Sequence, residues 1–171
     1  NQTDYDSLAY NLLDFLCKRL TLLNHQPMRL VANGKIYDEI ITAAIPCIDK
    51  IYLIIACDGN GHIPKSFEKS LNKALRCEFG FKEIESQRML SVTHPDGRPL
   101  IRNDFEVLYV VNVVSTTTRV HKLPEVGRYF SFVDFIAIFD SIQNIEEIDQ
   151  FFKLLDEYAD RILSPVYSLT D

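Results

Sequence analysis

The chain is expected to fold as an α+β protein, a mixed and partly antiparallel central sheet packed against amphipathic helices at both ends of the chain. Three kinds of stretch carry that expectation. Apolar residues recur at helical spacing over 7–23 and 144–162, and β-branched runs fill 51–57 and 107–114. Turn signals at Asn33-Gly34 and His94-Pro95-Asp96-Gly97 join strands between them.

In the first helix Leu8, Leu12, Phe15, Leu16, Leu20 and Leu23 share a face, with Asp4 and Asp6 or Ser7 as candidate caps and His25-Gln26-Pro27 as the stop. Met28-Arg29-Leu30-Val31 reads as a strand. Residues 38–48 stay open: Ile40, Ile41, Ala44, Ile45 and Ile48 follow a helical period, which Pro46 interrupts. Residues 51–57 read as a central buried strand. A second helix is expected over 64–79, with Pro64 in its first position, Gly80 past its end, and Phe67, Leu71, Ala74 and Leu75 facing inward.

Strands near 83–93 and 99–102 are expected around the His94–Gly97 turn, and Arg102-Asn103-Asp104 turns into the strand at 107–114, an interior one. Residues 129–142 are apolar nearly all round and must be buried, as helix or as strand. Asn144 and Glu147 form a capping-box pattern for the last helix. Its inner face is Ile148, Phe151, Phe152, Leu155, Ala159 and Ile162, and Ser164-Pro165 stops it.

A length of 171 residues suits one globular domain over 1–171, and without an initiator methionine the chain reads as a module of a longer protein. The net charge of −6 disfavours nucleic acid as a partner, because phosphate neutralisation by cations supplies most of such affinity. Cys17, Cys47, Cys57 and Cys77 are widely spaced, with no CxxC pair and no histidine at zinc-ligand distance, so they read as reduced thiols of a cytoplasmic protein. No apolar run approaches the ~20 residues of a membrane span.

The most suggestive stretch is IIACDGNGHIPKS, residues 54–66. Gly59, Lys65 and Ser66 occupy the outer positions of a phosphate-binding GxxxxGK[ST] loop, in a strand–loop–helix context. Pro64 stands where that loop needs a glycine with a free N–H, which argues against a nucleotide site. A small anion held by Asp58, Gly59, Gly61, His62, Lys65 and Ser66 is a softer expectation, since the loop leads from a strand end into a helix N-terminus. Along the same helix Lys65, Lys69, Lys73 and Arg76 fall in a sector of about 80°. That basic face suits a phosphate backbone, an acidic partner or an anionic surface, though it lacks aromatics for base stacking.

Carboxylates at Asp58, Glu83, Glu85, Asp96, Asp104 and Glu106 lie near strand ends, as in enzymes that clamp phosphate esters between metal ions. None of the strand glutamates has a lysine two residues on. His25, His62, His94 and His121 all fall in turns, without HxH or HExxH, and no GxSxG occurs. The sequence identifies no metal site and requires no cofactor. The leading expectation is a non-catalytic interaction or regulatory domain with a protein partner. A metal-dependent phosphate-ester hydrolase or nuclease-like enzyme is the alternative, and nucleic-acid or anionic-ligand contact through the basic face of helix 64–79 is the third.

Overall fold

The computed structural model describes residues 2–38, 40–57, 63–64, 67–91, 93–94, 96–111, 128–157 and 169–170. Helix α1 spans Gln2–Thr21 and buries Leu8, Leu12, Leu16 and Leu20, one per turn. It starts upstream of the expected caps, so Asp4, Asp6 and Ser7 are helical residues. It ends in a Schellman motif: Asn24, at φ +54°, donates to the Thr21 carbonyl at 3.1 Å, and the His25 N–H reaches the Leu20 carbonyl at 2.9 Å.

Strands β1 (Met28–Ala32) and β2 (Lys35–Ile36) form the hairpin that Asn33-Gly34 foretold. Both turn residues have positive φ, +52° and +77°, as a type I′ turn demands. The ambiguous segment resolves as strand β3 (Ala43–Pro46), not helix. Ala43 and Ile45 enter one core and Ala44 the other, so its apolar run reflects burial on both faces. Strand β4 (Ile51–Ala56) is buried throughout.

Pro64 lies in strand β5 (Ile63–Pro64), which pairs in parallel with β10 (Leu169–Thr170). It is therefore not the first residue of helix α2, which spans Phe67–Leu75. Nor does Gly80 end that helix. It belongs to strand β6 (Phe79–Glu83), where a Cβ would meet the Leu90 carbonyl oxygen of β7 (Met89–Leu90) at 2.8 Å. The expected strand over 83–93 is thus displaced. Glu83 closes β6 by accepting from the hydroxyl of Ser86 at 2.6 Å and from Arg88 Nε at 3.0 Å.

The turn at His94–Gly97 closes with Gly97 donating to the His94 carbonyl at 2.7 Å. In place of a strand at 99–102, a 3₁₀ turn at Arg102–Asp104 leads into β8 (Phe105–Val111). Residues 129–142 hold both strand and helix: β9 (Arg128–Ser131) runs straight into α3 (Phe132–Ser141), and Ser131 Oγ caps the helix by accepting from Asp134 N–H at 3.1 Å. Helix α4 spans Glu146–Glu157. Its Glu147 carboxylate accepts from the Gln143 N–H at 2.9 Å, one residue earlier than a capping box requires, and from Asn144 Nδ2 at 3.3 Å. Ala159, Ile162 and Ser164-Pro165 lie outside the described residues.

The main sheet has the order β7-β6-β1-β3-β4-β8-β9, with β2 beside β1. Pairing is antiparallel from β7 to β4 and parallel across β4, β8 and β9. Alternation along β4 divides the core between the two faces. Leu53 and Ile55 pack with Phe67 and Leu71 of α2, while Tyr52 and Ile54 pack with α1, α3 and α4. This is the α+β architecture the sequence implied.

Two polar ties fix the three-helix layer. Arg19 of α1 donates to the carbonyls of Phe139 at 3.0 Å, Asp140 at 3.2 Å and Ile142, meeting the negative end of α3 with a cation. The buried Tyr52 hydroxyl donates to Asp149 Oδ1 at 2.6 Å, and Asp149 Oδ2 accepts from the Asp49 N–H at 3.1 Å, which pins α4 to the sheet. Among the described residues no helix is long and apolar enough to cross a membrane.

Candidate interaction surface

Helix α2 buries Phe67, Leu71 and Ala74 at i, i+4 and i+7, a narrow apolar stripe that fixes which side faces solvent. Glu68, its acidic residue, is consumed in holding it down. Arg102 Nε donates to Glu68 Oε2 at 2.9 Å and Nη2 to Oε1 at 2.6 Å, while Nη1 reaches the Phe105 carbonyl at 3.1 Å. That forked bond holds the Arg102 guanidinium above its ordinary pKa. Lys69 and Lys73 are left exposed, as is Arg76 in the turn that follows, and none of the three has an ion-pair partner among the described residues.

Beside α2 lies an open groove of about 340 Å³, walled by Lys35, Ile36, Tyr37 and Ile40 on one side and Ser70 on the other. The tight Asn33-Gly34 turn puts Lys35 and Ile36 on this rim, and the Tyr37 N–H continues the hairpin by donating to the Leu30 carbonyl at 2.8 Å. Tyr37 and Ile40 also rest against the core under α2. Ser70 and Lys73 are neighbours at i, i+3, and Lys69 and Lys73 at i, i+4, so cations border the groove from both sides. Its lining mixes the apolar side chains of Ile36, Tyr37 and Ile40 with Lys35 and Ser70, and the exposed lysines of α2 lie on the same helix as Ser70.

The other side of the sheet has the opposite charge. Residues 132–157, which make up α3, α4 and their link, contain seven carboxylates against one lysine. Lys153, that lysine, is engaged by Asp49 at 2.6 Å.

Of the sequence-identified site residues, Lys69, Lys73 and Arg76 stand together on the surface. Asp58, Gly59, Gly61, His62, Lys65 and Ser66 lie outside the described residues, as does His121. The candidate catalytic carboxylates are dispersed. Glu83 is held ionised by Ser86 and Arg88, whose hydrogen bonds lower its pKa. Asp104 accepts from Arg98 at 2.8 and 3.0 Å and from the Ile101 N–H at 2.7 Å, and these bonds bring its pKa down to about 2. Asp96 accepts from the Arg98 N–H at 3.0 Å beside His94 at 3.1 Å. Glu106 takes a bond from Arg128 Nε at 2.7 Å on the far face.

Each of these four has a cationic neighbour, and among the described residues no three His, Cys, Asp or Glu side chains gather as metal ligands would. Cys17, Cys47 and Cys77 are free thiols. Burial, then Asp149 and Asp49, raise the Cys47 pKa, so this thiol stays protonated at neutral pH and is not an activated nucleophile. Lys35, Tyr37, Ile40 and Ser70 were not singled out from sequence. The Asn33-Gly34 signal marks the hairpin, but nothing local says that it faces a helix more than thirty residues away.

Comparison with protein-family models, with curated proteins and with solved structures finds no match for this chain.

Proposed function

We propose that this is a non-catalytic interaction module that receives an acidic, partly apolar segment of a partner protein between α2 and the β1–β2 hairpin. The observation that carries the reading is the pair of exposed lysines Lys69 and Lys73, without an ion-pair partner among the described residues, on the helix that supplies Ser70 to a groove lined by Lys35, Ile36, Tyr37 and Ile40. Charge alone would suit any polyanion. The apolar part of the lining, Ile36, Tyr37 and Ile40, favours a polypeptide, which offers aliphatic side chains along with carboxylates, whereas a phosphate backbone offers none. Nucleic acid is further disfavoured by the overall charge of −6 and by the single half-buried tyrosine available for stacking. The free thiols fit a reducing, cytoplasmic setting.

Fluorescence anisotropy with a labelled peptide alternating glutamate with leucine and phenylalanine tests this reading. The expected result is saturable binding that weakens with salt and falls about tenfold or more in Lys69→Glu/Lys73→Glu, as two charges of about 0.2–1 kcal/mol each are not only lost but reversed. Unchanged binding by the variant, or a stronger and equally specific response to single-stranded DNA, would overturn it.

A further inference from the structure

We infer that the occupant of the groove is a second copy of this chain, presenting the outer face of its α4, an inference that rests on the groove being the interaction surface. Charge complementarity carries it. Residues 132–157 carry an acidic excess, of which Asp134, Asp140 and Glu146 are exposed, and they lie across the sheet from α2. A single molecule therefore cannot turn its own acidic layer into its own groove. A neighbour can.

The outer face of α4 has the required mixture. Glu146, Gln150 and Leu154 are all exposed at i, i+4 and i+8, with Leu154 54% exposed. This stripe sets a carboxylate and an aliphatic side chain about 12 Å apart along one helix. The groove offers a cation at Lys35 and an aliphatic side chain at Ile36, itself 42% exposed, and the adjoining helix exposes Lys69 and Lys73. Lys153, the cation of α4, does not oppose the approach, because Asp49 already holds it. Contact between unlike surfaces of identical chains is heterologous, so it closes into a ring or continues as a filament. The contact depends on surface charge, and added salt screens it.

Sedimentation velocity on the full chain, from dilute solution to about 0.5 mM, tests the inference. The expected result is a mass that rises with concentration at about 20 mM salt and returns to the monomer at about 300 mM. Lys69→Glu/Lys73→Glu and Glu146→Ser/Leu154→Ser should each stay monomeric alone. Mixed in equal amounts they should give a dimer and nothing larger, since one intact groove and one intact α4 face remain. All four positions are exposed, and matching circular dichroism melts would show both variants folded.

A wild-type chain that stays monomeric at low salt, association that survives either pair of substitutions, or a mixture that stays monomeric would overturn the inference. If the acidic peptide still binds a chain that never self-associates, the second copy is wrong and the groove reading stands. If neither binds, both fall.

Discussion

Asp104 shows how a residue that resembles a catalytic acid serves the fold. It is buried, takes both Arg98 nitrogens, and caps the turn before β8 through the Ile101 N–H. Its pKa near 2 lies below the ordinary 3.8, so as pH falls the unfolded chain binds this proton before the native one does. The stability it contributes is therefore present in full above about pH 4 and lost between about pH 4 and 2. Urea midpoints across that range should fall steeply in the wild type and less steeply in Asp104→Asn. Equal slopes would mean that the Arg98 bond does not set the acid limb. Tyr52 and Asp149 make a similar structural pair: the carboxylate binds the hydroxyl and a backbone N–H, and burial is what raises the Tyr52 pKa most.

Among the elements, the edge of the sheet depends on a single glycine. Gly80 sits where β6 and β7 approach so closely that a methyl group would meet backbone, 2.8 Å from the Leu90 oxygen, with Met89 Cε at 3.3 Å. The methionine can turn away, but the carbonyl moves only if the ladder at Phe81–Leu90 and Lys82–Met89 moves with it. Gly80→Ala is expected to cost about 1–3 kcal/mol by overpacking, read as a lower urea midpoint. An unchanged midpoint would show that β7 shifts freely.

Element boundaries were less legible than element types. Residues 129–142 gave no single period because Ser131 ends a strand and caps a helix inside one apolar run. Residues 38–48 matched a helical period by accident, since Ile41, Ala43, Ala44 and Ile45 are buried on two sheet faces at once. The last helix was readable because its apolar residues recur at helical spacing between charged and polar ones. Even so, its cap formed one residue away from the expected box.

At the scale of the molecule, the two helix layers make protection from solvent uneven. All six residues of β4 and six of the seven in β8 are buried, whereas β2 is exposed and β7 lies at an edge. Native-state hydrogen exchange should therefore be slowest in the amides of β4 and β8, opening only with global unfolding, and fastest in β2 and β7. Comparable protection in β7 would contradict this account of the core.

The α+β class, both interior strands, the hairpin turn, the first and last helices and the basic side of α2 were legible in the residues alone. These follow from local chemistry: side-chain period, β-branching, turn residues and charge, each readable within a dozen positions. It took the folded chain to show that β6 pairs with β1 across some fifty residues, that Glu68 is spent on Arg102, and that the hairpin stands beside Ser70 to make a groove. The fold also decided which carboxylates are tied to cations and which cations are left over. Those outcomes depend on contacts between distant segments, and such contacts arise from burial and pairing across the whole chain, which no short window of residues contains.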